Sequence, residues 1–276
     1  MVIKPPPLES RRALLSWTLR VLRAHDVKPR KRLSQSFLVE PLAIREIIGW
    51  IKAEKPRSIV EIGAGLGTLT YHTALHVSRV IAVELDPRLA RITRDTVGEL
   101  GNVEVVVGDA MKTPLTGEAV VSSLPYHIAG PMIARILREN TVRKAALILQ
   151  AELAEKLASP PGSRKYGRIS AYTQFLAEIR LGRKYGSRSF YPAPKIASMT
   201  VFLKRIRDYD QVAEAYENII RCLFTQRNKK AVKIISICTG LDASWIPGEA
   251  RVKDLAPRQI EVIAHAWLRR REQYVE

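Results

Sequence analysis

The feature that most constrains this chain is an alternation of short β-branched runs with helical segments, in which the runs end in residues able to touch a ligand. Ser58-Ile59-Val60-Glu61-Ile62 reads as a strand running into the loop Gly63-Ala64-Gly65-Leu66-Gly67, and Thr68 to His76 as the helix after it. Arg79 to Val83 is a second strand, ending in Glu84-Leu85-Asp86. Pro87 opens the next helix, because its missing N–H costs nothing at a first helical position. Val103 to Val107 ends in Gly108-Asp109, Ala119 to Ser122 ends in Ser123-Leu124-Pro125-Tyr126, and Ala145 to Leu149 is a fifth strand. This order predicts a doubly wound, mainly parallel α/β sheet. Ligands of such sheets bind beyond the carboxyl ends of the strands. Gly63, Glu84, Asp109 and Ser123 all fall there.

Outside that region the pattern changes. Lys4-Pro5-Pro6-Pro7 is extended, and Leu14, Leu15, Thr18, Val21 and Leu22 fit one helical face between Glu9 and His25. Glu178 to Arg183 and Met199 to Lys204 form a later strand pair, and the chain is helical after about Ile206. The expected division is a basic N-terminal arm and helix at 1–34, a central domain at 35–205 and a small all-helical domain at 206–276. With 46% hydrophobic and 26% charged residues the composition is globular, and no apolar run approaches the roughly 20 residues of a membrane span.

The glycine loop leaves two cofactor classes in competition. A dinucleotide fingerprint needs Gly-x-Gly-x-x-Gly, but the third position here is Thr68. Gly63-x-Gly65-x-Gly67 preceded by Glu61 suits S-adenosylmethionine. Glu84, at the second strand end, is placed to accept from two ribose hydroxyls, and Asp109 to accept from an adenine amino group.

Ser123-Leu124-Pro125-Tyr126 is similar to the (Asn/Asp)-Pro-Pro-Tyr motifs that present an exocyclic base amine for methylation. Such an amine is a poor nucleophile, since its lone pair is delocalised into the ring. Acceptors beside it favour a tetrahedral nitrogen as charge develops. The Leu124 carbonyl and the residue-123 side chain are the candidate acceptors. Pro125 would stiffen the turn, and Tyr126 would stack on a base that has left its helix. His127 reads as a structural histidine. In Phe190-Tyr191-Pro192-Ala193-Pro194, followed by Ser198, two readings stand level: Phe190 covers the other face of the base, or it packs in the core.

Together these segments resemble the KsgA-type small-subunit rRNA adenine dimethyltransferases, from about Arg32 to Lys204 and more loosely to the C-terminus. Gln35-Ser36-Phe37-Leu38 is similar to the family's Gln-Asn-Phe-Leu motif. Tyr166-Gly167-Arg168-Ile169-Ser170 and Phe224-Thr225-Gln226-Arg227-Asn228-Lys229 also look like family segments. The resemblance implies a Rossmann-like S-adenosylmethionine-dependent methyltransferase fold with a small all-helical C-terminal domain. It implies that Ser36 and Leu38 touch the methionine portion of the cofactor, and that Gly63, Gly65, Glu84, Asp109 and Ser123 line the rest of its site. The expected catalytic set is Ser123, Leu124, Pro125, Tyr126 and Phe190. The implied reaction dimethylates two adjacent adenosines in the 3′-terminal hairpin of small-subunit rRNA, within a pre-ribosomal particle whose assembly the protein also serves. Two residues depart from the family pattern, since Ser36 and Ser123 each stand where asparagine is usual. The alternative that Ser123 leaves open is a ribosome-assembly RNA-binding factor with weak or lost catalysis.

A formal net charge of +18 favours a polyanionic partner. Residues 1–34 are the densest basic segment, with nine Lys/Arg against two Asp/Glu. Lys31, Arg32, Arg227, Lys229 and Lys230 are the expected RNA-backbone contacts. Cys222 and Cys238, the only cysteines, suggest no metal motif and read as two reduced core residues, with a disulfide between them as the lesser alternative. The chain is expected to be cytoplasmic and monomeric, with no membrane attachment and no metal.

Overall fold

The structure, a computed structural model, describes residues 3–30 and 35–272. Its elements run α1 (Arg11–Ala24), β1 (Phe37–Leu38), α2 (Pro41–Glu54), β2 (Ser58–Ile62), α3 (Thr68–Ala74), β3 (Arg79–Glu84), α4 (Pro87–Val97), β4 (Val103–Val107), β5 (Ala119–Ser123), α5 (Ala129–Arg138) and β6 (Lys144–Gln150). They continue with α6 (Ala151–Leu157), α7 (Arg168–Leu176), β7 (Ala177–Tyr185), β8 (Phe190–Tyr191), β9 (Ser198–Arg205), α8 (Gln211–Leu223), α9 (Ala231–Thr239) and α10 (Pro257–Glu272).

Seven strands form one sheet in the order β4-β3-β2-β5-β6-β9-β7. The β2–β3, β3–β4, β2–β5 and β5–β6 pairs are parallel. Strand order reverses between β2 and β5, which opens a crevice at their carboxyl ends. There Ile62 pairs with Ser122, so the glycine loop and the 123–126 turn leave the sheet side by side. The central strands are buried except at their ends, as expected of parallel strands covered on both faces. Asp86 caps α4 by accepting from the Arg88 N–H, with Pro87 in the first turn as the sequence predicts.

The chain forms two compact units: Met1–Ala151 with Leu181–Leu203, and Glu152–Arg180 with Lys204–Glu276. In the first, α1 is part of the core. Ser10 caps it by accepting from the Ala13 N–H at 3.1 Å. Leu14, Trp17, Thr18, Val21 and Leu22 are its buried residues, a strict i, i+3, i+4, i+7, i+8 stripe. Trp17, not Leu15, completes that face, because its indole N–H also reaches the Lys4 carbonyl at 2.8 Å. These side chains share a hydrophobic cluster with Ile44, Ile47 and Ile51 of α2. Each large aliphatic group buried there contributes roughly 1.5–3 kcal/mol. The antiparallel pair β1–β8 lies outside the main sheet, with Phe37 opposite Tyr191 and Leu38 opposite Phe190.

In the second unit α7 packs on α8 and α10. Phe175 stacks on Tyr216 with ring centroids 3.9 Å apart, and the Arg207 guanidinium lies over Phe175. A linear division at 205/206 puts residues 152–180 with the sheet. The aromatic face of α7 groups them instead with the C-terminal helices. Tyr166, wholly buried, donates to the Leu255 carbonyl and meets Phe224 edge-on. The segments beginning at Tyr166 and Phe224 therefore meet in this unit's core.

The cysteines are not the reduced pair expected from the sequence. Cys222 and Cys238 form a disulfide between the last turns of α8 and α9. Their Cα atoms stand 5.9 Å apart, within bridging range. Closing a loop of this length stabilises the folded chain by about 3 kcal/mol in the chain-entropy model. Reduction is expected to lower the thermal midpoint of the second unit, and a Cys222→Ser/Cys238→Ser variant to melt at that lower temperature with or without reductant. Calorimetry in both redox states checks this.

Candidate active site

The crevice at the carboxyl ends of β2, β3, β4 and β5 is a cavity of about 380 Å³, within the size range of small-molecule sites. It brings together Ser36, Leu38, Gly63, Gly65, Glu84, Asp109, Ser123, Leu124, Pro125, Tyr126 and Phe190. Every residue expected from the sequence to bind cofactor or act on the base therefore borders one space.

The glycine loop forms its floor. Gly63, Gly65 and Gly67 adopt φ of +76°, +62° and +79°, which L side chains rarely tolerate. A Cβ on Gly65 would press the Phe37 ring at 3.4 Å, and one on Gly67 would lie 3.1 Å from the Thr96 Cβ. Two threonines of α4 brace the loop, Thr93 donating to the Gly65 carbonyl at 3.0 Å and Thr96 to the Leu66 carbonyl at 2.9 Å. No sequence motif announces them; they are an i, i+3 pair on the face of α4 turned to the loop.

Glu84 ends β3 with both carboxylate oxygens engaged. Oε2 accepts from the Gly65 N–H at 2.8 Å and Oε1 from the Asp86 N–H at 2.9 Å. Each oxygen keeps lone-pair capacity for a further donor. Burial raises its pKa, against the lowering effect of those backbone donors. Asp86 is held near 2, chiefly by the Arg88 guanidinium. It also accepts from the Gln35 amide at 3.2 Å and pairs with Arg30, tying the segment before β1 to the end of β3. Asp109 uses Oδ1 to hold the Met111 N–H at 2.9 Å.

Glu61 is the most perturbed group in the cavity wall. Burial pushes its carboxyl up to about 8, with the charge of Glu84 adding in the same direction and Thr70 opposing. Among the described residues its Oε2 is buried without a hydrogen-bond partner, a state that costs free energy unless a donor arrives. Among the described residues the lining includes no Lys or Arg, whereas Glu61, Glu84 and Asp109 are acidic.

On the target side, Ser123 is half-buried, and the Tyr126 hydroxyl lies 2.9 Å from Ser198 Oγ. Phe190 is buried in the hydrophobic cluster, as the core reading has it, and also borders the cavity. Ser36 turns its hydroxyl away from a cofactor role, donating it to the Pro192 carbonyl at 2.7 Å. The residue nonetheless borders the cavity. His127 borders the same space.

The expected RNA contacts divide differently. Lys31 and Arg32 lie outside the described residues. Arg227 donates to the Arg164 carbonyl at 3.0 Å, so it holds a loop within the second unit. Lys230 pairs with Glu249 at 2.8 Å. Lys229 and Lys233 are exposed. Among the described residues no group of three or more His, Cys, Asp or Glu is arranged to hold a metal ion. Among them, too, no helix is long and apolar enough to cross a membrane.

A lining without Lys or Arg leaves the pyrophosphate of a dinucleotide with no counter-charge, and the carboxyl groups of Glu61, Glu84 and Asp109 favour a ligand that brings hydrogen-bond donors. That separates the two cofactor classes the glycine spacing left open. Fold and site are those of the Rossmann-like S-adenosylmethionine-dependent methyltransferases. A family model for ribosomal RNA adenine dimethylases matches residues 27–263, and the chain belongs to that family. It is 34% identical over 221 residues to a probable ribosomal RNA small subunit methyltransferase A of Methanothermobacter thermautotrophicus, covering 80% of each chain. A similarly named protein of Thermococcus gammatolerans is 31% identical over 252 residues, covering 87% of this chain and 90% of the relative. Among solved structures, a dimethyladenosine transferase from Plasmodium falciparum superposes with a TM-score of 0.71 at 20% identity, covering 84% of this chain and 98% of that one. The 23S rRNA methyltransferase ErmE gives 0.63 at 25% identity, covering 84% and 99%.

The raised pKa of Glu61 makes stability depend on pH. The folded state retains a proton that the unfolded chain releases above its ordinary value of 4.5. The contribution is whole below that value and is lost as pH rises through about 8. Glu61→Gln is expected to melt increasingly above the unmodified protein, relative to their difference at pH 5, as pH rises toward 9. Paired melting curves without cofactor test it.

Proposed function

We propose that the protein transfers methyl groups from S-adenosylmethionine to the exocyclic amines of two adjacent adenosines in the 3′-terminal hairpin of small-subunit rRNA. The observation that carries this reading is the shared cavity of the glycine cradle and the Ser123–Tyr126 turn. The substrate follows the small-subunit methyltransferase relatives, which are matched over most of their length.

Glu84 is placed to receive ribose hydroxyls, Asp109 an adenine amine, and Glu61 the cationic end of the cofactor. Phe37 and Leu38 wall the same space. The cofactor supplies an electrophilic methyl on sulfur. Tyr126 and Phe190 would hold the extruded base between them, and Ser123 Oγ with the Leu124 carbonyl would accept from its amine. Binding the amine protons there keeps the nitrogen lone pair directed at the methyl, so the residues act by orientation and by stabilising developing charge. The reading extends to a cytoplasmic monomer that works without a metal on a pre-ribosomal particle and contributes to its assembly.

Ser123 sets the rate. Serine is shorter than asparagine and offers one acceptor atom that also carries a proton. Losing one such hydrogen bond costs on the order of 3 kcal/mol, or ~100-fold in rate. Ser123→Asn is therefore expected to raise methyl transfer to unmethylated small-subunit particles. Mass spectrometry of the rRNA reads the product. Dimethyladenosine at the 3′-terminal hairpin supports the proposal. Product only in large-subunit rRNA moves the substrate, and tight particle binding with no product favours an assembly factor.

RNA contact by the second unit is expected to run through Lys229 and Lys233. A Lys229→Glu/Lys233→Glu variant should bind particles more weakly. The slope of its log Kd against log salt should fall by roughly 0.7–0.9 for each phosphate that is no longer neutralised. Unchanged binding at moderate salt would remove this surface from the footprint.

A further inference from the structure

Tyr126 and Phe190 stand on different elements, and the chain between Phe190 and Ser198 links both to the cavity wall. Phe190 begins the segment, in β8, fixed opposite Leu38 of β1. Two residues on, the Pro192 carbonyl accepts from the Ser36 hydroxyl. Near its far end the Ala197 carbonyl accepts from the Ala151 N–H at 3.0 Å, at the end of β6. Ser198, the first residue of β9, then places Oγ 2.9 Å from the Tyr126 hydroxyl. Ser198 is wholly buried, and among the described residues its hydroxyl has this one side-chain partner.

A phenol ring anchored only at its backbone can turn about two side-chain torsions. A second anchor at the hydroxyl, which lies on the ring's long axis, fixes where that axis points, and a wholly buried strand residue supplies it here. We propose that Ser198 is a positioning residue for the target base: it holds the Tyr126 ring so that the slot between Tyr126 and Phe190 has one width before the base arrives. One short segment thus supplies one wall of the slot and steadies the other. This rests on the functional reading above, in which the base occupies that slot. The bond is neutral and Ser198 is not among the residues that line the cavity, so its effect passes through Tyr126.

The test uses the full chain with Ser198→Ala, Ser198→Thr, Tyr126→Phe and the Ser198→Ala/Tyr126→Phe pair. Two readouts are taken: the NMR signals of ring-13C-labelled tyrosine, with Tyr126 assigned from Tyr126→Phe, and kcat and KM on unmethylated small-subunit particles. Ser198→Ala is expected to displace or broaden the Tyr126 ring signal and to lower kcat about tenfold, the loss of one hydrogen bond. S-adenosylmethionine affinity stays unchanged. Ser198→Thr, which keeps the hydroxyl, restores both readouts. In the Tyr126→Phe background Ser198→Ala causes no further loss. An unmoved Tyr126 signal in Ser198→Ala, or an equal second loss in the paired variant, overturns the proposal. Failure of the unmodified protein to methylate particles overturns the functional reading instead, and the ring signal still decides whether Ser198 fixes Tyr126.

Discussion

The parallel pairing of β2 with β5 is the constraint on which the site depends. Ile62 and Ser122 are partners across it, and the Ser122 hydroxyl, fully buried, donates to the Ile62 carbonyl at 2.6 Å. That bond pins the ends of the two strands at the point where the chain must diverge, one path into the glycine loop and the other into Ser123-Leu124-Pro125-Tyr126. A slip of one residue in β5 would turn Ser123 to the opposite face of the sheet. The glycine loop and the 123–126 turn are far apart in sequence, and their separation in space is set here.

Around that point the cavity is built from carboxylates whose partners are mostly backbone. Glu84 takes one N–H on each oxygen and Asp109 takes one from Met111. Glu61 has an oxygen left over, and its proton affinity records the cost of burying it. A site of this kind is poised before its ligand arrives. The positive charge of the protein, set by its excess of Lys and Arg, lies elsewhere and is available to RNA. Separating the two signs lets one molecule attract a polyanion and still hold a cation in its cleft.

Much of this was legible in the sequence. Strand ends carry the chemistry in a doubly wound sheet, so the positions of Gly63, Glu84, Asp109 and Ser123 followed from strand order alone. The helical face of α1 is visible from spacing, although spacing favours Leu15 where the structure buries Trp17, whose indole becomes apolar core once its N–H finds Lys4. What the sequence hid were contacts between distant segments. Nothing local marks Thr93 and Thr96 as braces of the glycine loop, the Ser36 hydroxyl as a donor to Pro192, or Arg227 as a clamp on the Arg164 carbonyl. The disulfide was hidden for the same reason. Two cysteines 16 residues apart become a bridge only when α8 and α9 bring their last turns together. Composition cannot report that approach.

The N-terminal helix has a practical consequence. The family match begins at residue 27, yet Leu14, Trp17, Val21 and Leu22 belong to the same buried cluster as Ile44, Ile47 and Ile51. The segment that defines kinship is thus shorter than the segment that folds. A fragment trimmed to the shared region would retain every residue of the cleft, yet it would uncover the apolar face of α2 and forfeit burial on which the fold around the cleft rests.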